Sequence, residues 1–341
     1  MKYDVTIGIP VYNSVSCIRT SLMSALDQSY PSIEFILVDD SCNDGTFDVI
    51  NYVVSTHHRR DDIRIIAHTQ KLGVSFSRNQ IIDEARGEFL YFMDSDDTIA
   101  KNTIELLMQN ARQCDAEIVF GSYQKIDTSG RKTFFQYPFK QLFEKDELAI
   151  FAYRKYAGIQ ASACNYIVKA DILRVYNHRF IDLNFWEDMV FTFDLVTLVS
   201  RAVLLPNITY NYICRDNSLS HYQERINISK AEVIRNVEAI EHLKGTSALL
   251  YDKVYFPNRC YNIVMTDFYI ACTILKRRQT IIPYISNDEI KSIMTHPATW
   301  HQICLFRQSR FKNQLLYILG KMPSFLCVFL IMCIGKVKKL I

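Results

Sequence analysis

Apolar runs and helical repeats alternate along the first third of the chain. Short apolar runs have the length of buried strands, and the segments between them repeat their apolar residues every three to four positions, as one face of a helix does. The predicted strands are 5–11, 33–38, 63–68, 88–94 and 116–121. The predicted helices are 17–28, 102–113 and two others that begin at 44 and 73. This alternation predicts an α/β fold with a mostly parallel sheet between helices.

Three of the predicted strands end in residues that suit ligand binding. These residues are Pro10, Val11, Tyr12 and Asn13, then Asp39 and Asp40, and finally Asp94, Ser95, Asp96 and Asp97. The carboxyl ends of parallel strands meet at one edge of a sheet, and ligands of open α/β sheets bind there. We therefore expect the three groups to lie close together and to form a binding site.

The densest group holds three carboxylates, Asp94, Asp96 and Asp97, within four positions. Carboxylates this close repel one another unless a cation or helix amide groups compensate their charge. One interpretation is a cap for the helix near 102, with Asp97 or Thr98 in the capping position. The other is a hard divalent cation, Mg²⁺ or Mn²⁺, for which aspartate oxygens are suitable ligands. The place of the group at the end of a strand favours the metal.

Composition and missing motifs narrow the class of protein. Hydrophobic residues make up 49% of the 341 residues, enough for a large core. The chain has neither GxGxxG after the first strand nor GxxxxGK[ST], which argues against an NAD enzyme and a P-loop ATPase. The ten Cys form no CxxC pair, and the N-terminus lacks the apolar stretch of a signal peptide. These features favour free thiols in the cytoplasm.

The C-terminal tail, about 307–341, differs in charge from the rest of the chain. From 290 to 341 there are eight Lys and Arg residues and no Asp or Glu, although the whole chain has a net charge of only +3. The apolar run 323–335 is shorter than the roughly 20 residues that a spanning helix needs. We therefore expect a helix that lies on an anionic membrane surface, with a helix docked on the protein as the alternative. Nucleic acid is not an expected partner, because the basic residues are interleaved with aliphatic side chains.

The chain resembles family 2 glycosyltransferases, which have the GT-A fold, in four successive segments. They read IPVYN, ILVDDSCNDGT, GVSFSRNQIIDEARGEFLYFMDSDD and WEDMVF. The resemblance is dense over about 3–125 and thinner up to about 221. Several motifs in the right order make it more specific than an isolated DxD motif.

This resemblance implies roles for the strand ends. The residues that it assigns to the nucleotide are Pro10, Val11, Tyr12, Asn13, Asp39, Asp40 and Arg78. Asp39 would bind the base of the nucleotide. Asp94, beside Ser95, would contact the ribose or the donor sugar, and Asp96 would bind the metal that bridges the diphosphate. Asp97 is left for the helix cap.

The acceptor side is implied by the segment WEDM. Asp188 would be the catalytic base and Glu187 would orient the acceptor, although either acid could instead cap a helix over 189–199. Trp186 replaces the glycine that the family often has there, and either stacks on a sugar or belongs to the core. Further along the chain, the residues expected to approach the diphosphate are Arg215, Ser218 and His221.

The resulting hypothesis is an inverting, metal-dependent hexosyl- or N-acetylhexosaminyltransferase of cell-surface polysaccharide synthesis. It would move a sugar from a nucleotide-diphosphate sugar, with UDP expected, to a hydroxyl of a glycan or lipid-linked glycan at the inner face of the membrane. The expected catalytic domain is 1–221, with a nucleotide-binding half to about 121, followed by a helical region over 222–341. The alternatives are a nucleotidyltransferase and a non-catalytic sugar-nucleotide-binding protein of the same fold.

Overall fold

The computed structural model describes residues 3–155, 158–183, 186–215 and 229–341. Two compact units divide the chain. The first, here called the sheet unit, comprises residues 1–148 and 161–216, and the second, here called the helical unit, comprises residues 149–160 and 217–341.

Strands and helices alternate in the first part of the chain, as the apolar pattern predicts. The elements up to residue 126 are β1 (Tyr3–Val11), α1 (Ile18–Leu26), β2 (Ile33–Asp39), α2 (Thr46–Thr56), β3 (Ile63–Ala67), α3 (Val74–Glu84), β4 (Gly87–Phe92), β5 (Thr98–Ile99), α4 (Thr103–Cys114) and β6 (Ile118–Ile126). The next elements are β7 (Lys132–Phe135), β8 (Lys140–Leu142), α5 (Glu147–Arg154), β9 (Tyr166–Lys169), α6 (Ala170–Val175), α7 (Glu187–Leu195) and β10 (Ala202–Ile213). The two-residue strand β5 and the strands after residue 126 were not predicted.

The strands of the sheet unit form one sheet, in the order β3-β2-β1-β4-β9-β6-β10-β5. β3, β2, β1 and β4 are parallel neighbours, and β6 is parallel to β10, which confirms the mostly parallel character. β9 lies antiparallel between β4 and β6, and the short strands β5, β7 and β8 also pair antiparallel. All seven residues of β2 are buried, as expected for a strand covered on both faces.

Close packing of helices and strands builds the core of this unit. α1 buries Ile18, Leu22 and Leu26, which lie on one face at helical spacing. β1 and β4 approach so closely that a Cβ atom on Gly87 would lie 2.4 Å from the backbone nitrogen of Thr6. Only glycine fits at this start of β4, the strand that leads to the acidic group.

The helical unit contains α8 to α13. Their bounds are α8 (Lys230–Ser247), α9 (Phe256–Lys276), α10 (Asn287–Ile293), α11 (Trp300–Leu305), α12 (Arg310–Lys321) and α13 (Ser324–Val337). α9 is the central helix, because 14 of its 21 residues are buried. Capping boxes begin three of the others, with Ser229, Ser286 and Thr299 in the capping position. In the described parts of the chain, no helix combines the length and the apolar character needed to cross a membrane.

Candidate active site

The three polar strand ends lie side by side. Val11 is paired with Asp39 across β1 and β2, and Gly8 is paired with Phe92 across β1 and β4. Asp94 follows Phe92 by two positions and therefore extends beyond the same edge of the sheet. The prediction that these strand ends share one edge is confirmed by this register.

Arg78 joins the acidic strand end to the segment that carries the proposed base. Its side chain is buried in α3 and donates from Nη2 to Asp94 Oδ1 at 2.8 Å and from Nη1 to Glu187 Oε1 at 2.7 Å. The guanidinium carbon also lies 5.2 Å from the centre of the Phe180 ring. Charge-assisted contacts of this kind fix the separation and orientation of both carboxylates. Residues 109 positions apart along the chain thus form one cluster.

This bridging role of Arg78 was not predicted, although its place near the nucleotide was. A signal was present in the sequence, because Arg78 lies on the apolar face of α3, three positions before the buried Ile81. A charged residue on the buried face of a helix requires an internal partner. The identity of that partner depends on tertiary packing, which the local pattern does not contain.

Glu187 and Asp188 form the first turn of α7. Glu187 is buried and bound to Arg78, so its orientation is fixed. Asp188 keeps part of its surface exposed and accepts a hydrogen bond from the backbone nitrogen of Met189 at 2.7 Å. Burial and the neighbouring charge of Glu187 raise the pKa of Asp188 to about 7, against the opposing effect of Arg78. A carboxyl group that titrates near neutral pH is suited to general-base chemistry.

Trp186 immediately precedes these acids and has a left-handed backbone, with φ of 66° and ψ of 9°. This conformation costs a residue with a side chain roughly 1–2 kcal/mol, whereas glycine adopts it readily. The geometry accounts for the glycine that is frequent at this position in the family that the sequence resembles. The expected contact between Trp186 and an acceptor stays a prediction.

Asp96 forms an ion pair with Arg215, with 3.0 Å between Asp96 Oδ2 and Arg215 Nη1. Arg215 also donates to the backbone oxygen of Asp96. Burial and the charge of Asp94 raise the pKa of Asp96 to about 6, while Arg215 lowers it. The Asp96 side chain is 39% exposed, and its charge is only partly neutralised by the protein.

Asp97 does not cap a helix, which corrects the role that the sequence left for it. α4 follows Asn102, whose side chain makes no capping hydrogen bond. The Asp97 side chain is buried and accepts from the Tyr210 hydroxyl at 2.7 Å and from the backbone nitrogen of Ile213 at 2.8 Å. Burial, together with the charges of Asp94 and Asp96, raises the pKa of Asp97 well above its usual range. Asp97 thus attaches the end of β10 to the acidic strand end.

A cavity of about 210 Å³ adjoins Asp96 and Arg215. Its other lining residues are Ser16, Cys17, Thr20, Ser21, Thr98 and Ile213. Of these lining residues only Thr98 had a predicted role, as a possible helix cap, and it lies in β5 instead. Ser95, which was assigned to the donor, is held nearby through its hydroxyl, 2.8 Å from that of Ser14.

Tyr12 and Asn13 lie on the exposed side of the strand ends. The Lys71 ammonium group is 3.7 Å from the centre of the Tyr12 ring. Asn13 has a positive φ of 45°, and its side-chain oxygen accepts from the backbone nitrogen of Asn43 at 3.0 Å. By contrast, Pro10 and Val11 belong to the buried part of β1. The exposed ring of Tyr12 is therefore the part of this group that is accessible for stacking.

Asp39 and Asp40 are both buried at the end of β2, but their contacts differ. Asp39 Oδ1 accepts from the backbone nitrogen of Cys42 at 3.1 Å. Asp40 accepts from the backbone nitrogens of Leu72 and Gly73, at 2.7 and 2.8 Å. Its Oδ1 also lies 2.8 Å from His68 Nδ1. These contacts favour a structural role for Asp40, which holds the loop before α3, and its contact with a nucleotide stays a prediction.

Two residues expected near the diphosphate, Ser218 and His221, lie outside the described part of the chain. Arg215 lies within it and contacts the acidic group, as described above. Among the described residues, no three or more His, Cys, Asp and Glu side chains form a group that could hold a metal ion. Mg²⁺ and similar ions commonly take only one or two protein carboxylates, with phosphate and water completing the coordination. The protein neutralises the carboxylates of the acidic group only in part. Their oxygens therefore fit a site in which the protein supplies one or two of the metal ligands.

Known proteins match both the sequence and the fold. Residues 6–174 match the family described as Glycosyl transferase family 2. Through this domain the chain belongs to glycosyl transferase family 2. It is 32% identical over 150 residues to glycosyltransferase GlyG of Streptococcus pneumoniae, a match that covers 44% of this chain and 48% of GlyG. The chain thus spans about half the length of that curated relative.

Solved glycosyltransferases share the architecture over most of the chain. S. aureus TarS 1–349 in complex with UDP-GlcNAc matches with a TM-score of 0.63 and 18% identity, over 93% of this chain and 90% of that one. The mannosyltransferase PcManGT from Pyrobaculum calidifontis, in complex with GDP-Man and Mn²⁺, matches with a TM-score of 0.54 and 14% identity. This match covers 97% of this chain and 87% of that one. At these identities the likeness concerns the fold alone. The family 2 glycosyltransferase has the expected GT-A-like fold and C-terminal helices.

Proposed function

We propose that this family 2 glycosyltransferase transfers a sugar, with inversion, from a nucleotide-diphosphate sugar to a hydroxyl group of a glycan or lipid-linked glycan. The observation that carries the proposal is the contact of Arg78 with both Asp94 and Glu187, at 2.8 and 2.7 Å. It links the strand end assigned to the donor with the turn that carries the proposed base. Transfer requires both reacting groups to be held together, and this cluster supplies that arrangement.

On the donor side, Asp96 would hold a divalent cation and Asp94 would contact the ribose or the sugar. When bound, Mn²⁺ or Mg²⁺ stabilises the negative charge on the leaving diphosphate. Arg215, 3.0 Å from Asp96, would bind a phosphate oxygen next to that site. Tyr12 and Asp39 would hold the nucleotide base, the former by stacking and the latter by hydrogen bonding.

On the acceptor side, Asp188 would take the proton from the attacking hydroxyl group. Its pKa, raised to about 7 by burial and by Glu187, lets it be ionised before the transfer and protonated after it. Glu187 is fixed by Arg78 and would orient the acceptor, with Trp186 beside it. Attack from the face opposite the leaving diphosphate inverts the anomeric carbon in a single displacement.

The kind of donor is supported by the complexes of proteins with the same fold. TarS was solved with UDP-GlcNAc, and PcManGT with GDP-Man and Mn²⁺. We propose a UDP-sugar as the donor of this protein and a divalent cation as its cofactor. The relatives are glycosyltransferases. The alternative is a protein that binds a sugar nucleotide without transferring the sugar, and an assay for glycoside formation distinguishes the two.

Thermal unfolding in the presence of donor candidates tests this function. UDP-Glc, UDP-Gal, UDP-GlcNAc, UDP-GalNAc and GDP-Man would each be added with and without Mn²⁺. We expect one UDP-sugar to raise the melting temperature, and to do so more strongly with Mn²⁺, because Asp96 would hold the ion and its charge would favour binding of the diphosphate.

Two variants make this test specific for the acidic group. Asp96→Asn should lose the stabilisation that depends on Mn²⁺, whereas Asp115→Asn, a change at a carboxylate with 80% of its side chain exposed, should keep it. Stabilisation by no nucleotide sugar would refute the proposed donor class. Binding without any transfer to glycan acceptors would instead favour the non-catalytic alternative.

A further inference from the structure

The last helix of the helical unit exposes an apolar stripe. In α13, Phe325 and Phe329 are 68% and 56% exposed, and the exposed Cys333 continues the same spacing of four residues. Residues four apart lie on one face of a helix, so these side chains form one outward-facing row. Cys327 and Ile331 are buried on the opposite side. α13 is therefore docked through one face and apolar on the other.

The preceding helix carries a second stripe of the same kind. Phe311, Leu315 and Ile318 of α12 are exposed at intervals of four and three residues, and Phe311 is 70% exposed. Leu316 and Leu319 are buried on the other face. Both helices pack on α9, and only Met322 and Pro323 separate them. The exposed rows of α12 and α13 are here called the C-terminal patch.

The segment that carries the C-terminal patch contains basic residues and no acidic residue. No Asp or Glu occurs from residue 290 to residue 341. The Lys and Arg residues of α12, α13 and the residues that follow are Arg310, Lys312, Lys321, Lys336, Lys338 and Lys339. Apolar side chains next to an unbalanced positive charge are typical of a helix that lies in the headgroup region of an anionic bilayer.

We propose that the C-terminal patch binds the surface of an anionic lipid bilayer. A second copy of this chain is a poorer occupant, because a two-fold interface would bring the same positive charges face to face. Insertion across the bilayer is also disfavoured, because α13 has 14 residues and packs one face on protein. The phenylalanine rows would enter the lipid while α12 and α13 remain attached to the helical unit. This surface belongs to the helical unit alone and does not depend on the transfer chemistry proposed above.

Vesicle flotation of the full chain tests the proposal. We expect the protein to float with vesicles of phosphatidylcholine mixed with phosphatidylglycerol, to bind vesicles of phosphatidylcholine alone much more weakly, and to lose binding as salt is added. Phe325→Ser combined with Phe329→Ser should lower vesicle binding by about tenfold or more, since two large apolar side chains leave the lipid. Charge reversal should do the same, through Lys336→Glu, Lys338→Glu and Lys339→Glu together.

Matched variants in the sheet unit control for general effects of polarity and charge. Phe134→Ser with Phe139→Ser removes two phenyl groups that are equally exposed, at 57% each. Lys101→Glu, Lys132→Glu and Lys145→Glu reverse three exposed charges. Both controls should bind the vesicles as the wild type does, and circular dichroism should show that every variant is folded.

Three results would overturn the proposal. The first is no flotation of the wild type with either vesicle, and the second is equal flotation of the patch variants and the wild type. The third is a dimer in sedimentation experiments that the phenylalanine changes dissociate while no vesicle is bound. That last outcome would assign the C-terminal patch to contact between copies of the chain.

Discussion

The buried charged side chains of the two units have different kinds of partner. In the described residues of the sheet unit, five carboxyl groups form a cluster, and three of them contact one of two guanidinium groups. The carboxyl groups belong to Asp94, Asp96, Asp97, Glu187 and Asp188, and the guanidinium groups to Arg78 and Arg215. The pKa values of Asp96, Asp97 and Asp188 are all raised, with burial as the first cause. Negative charge is left over at the candidate active site.

In the helical unit, a buried lysine contacts two carboxyl groups, although burial still raises the pKa of Asp267 to about 8. The Lys244 ammonium group lies 2.7 Å from Asp267 Oδ2 and 2.7 Å from Glu241 Oε1. Arg259, with none of its surface exposed, donates to the hydroxyl groups of Tyr153 and Ser247, both at 2.7 Å. The comparison teaches that burial raises carboxyl pKa values in both units, whereas in the sheet unit five carboxyl groups gather at the ends of strands, an arrangement able to take up a cation and a proton.

The largest expected effect is on catalysis, from Asp188→Asn. Removal of a general base lowers the rate by about 10²–10⁴-fold, so kcat should fall by this factor while the melting temperature stays near that of the wild type. Initial rates with saturating donor and acceptor, together with thermal unfolding, measure both quantities. Asp182→Asn, at an exposed carboxylate, should leave both unchanged. A wild-type kcat in the Asp188→Asn enzyme would show that Asp188 is not the catalytic base.

The opposite result is expected in the helical unit from Lys244→Met. This change leaves Asp267 buried without its cation, and loss of one partner of a buried pair costs about 3–5 kcal/mol. Urea unfolding should show that loss, while kcat per folded molecule remains at the wild-type value. Lys276→Met, at an exposed position of α9, provides the control. A stability equal to the wild type would mean that the two clusters do not differ as proposed.

A shift in the pH profile is expected from Glu187→Gln. In the wild type, kcat/KM should fall as the pH drops below about 7, because Asp188 becomes protonated and no longer accepts a proton. Loss of the neighbouring negative charge lowers the pKa of Asp188, so the acid limb should move to lower pH. The same raised pKa makes this group's contribution to stability decrease as the pH rises from about 4 to about 7. An acid limb at the same pH in the variant would show that Glu187 does not raise the pKa of Asp188.

The smallest effect is expected at the two tryptophans. Trp186→Gly relieves a left-handed backbone but loses side-chain contacts, so the free energy of unfolding should change by no more than about 1 kcal/mol. Trp300→Gly, at the first position of the helix α11, should destabilise by about 1 kcal/mol, because glycine disfavours helix. A raised KM for the acceptor in the Trp186 variant alone would support the stacking role. An unchanged KM would place Trp186 in the packing of the turn.

The strands and helices before residue 126 could be predicted because their signals are local. Continuous apolar runs correspond to β1, β2, β3, β4 and β6, and periodic apolar residues correspond to the helices between them. The antiparallel position of β9 could not be predicted in this way. Its four residues, 166–169, are apolar enough for a buried strand, but nothing in a short apolar run specifies which strands it lies between.

In the candidate site, too, local features could be predicted and contacts between distant residues could not. Asp39 ends β2, and Asp94 and Asp96 follow β4, so their common edge could be predicted from the order of elements. The pairing of Asp97 with Tyr210 joins residues 113 positions apart, and that of Arg78 with Glu187 joins residues 109 apart. Such contacts depend on how distant elements pack. Sequence reasoning therefore finds the acidic group but not the distant residues that its members contact.

The place of β9 has a consequence for the order in which the chain can fold during synthesis. β9 lies between β4 and β6, which are complete by residues 92 and 126, yet β9 itself ends at residue 169. Until that residue has left the ribosome, β4 and β6 each keep an open edge where the strand is missing. Open edges of apolar strands pair readily with other chains. A nascent chain that stalls before β9 emerges is therefore expected to depend on a chaperone more than the completed sheet unit does.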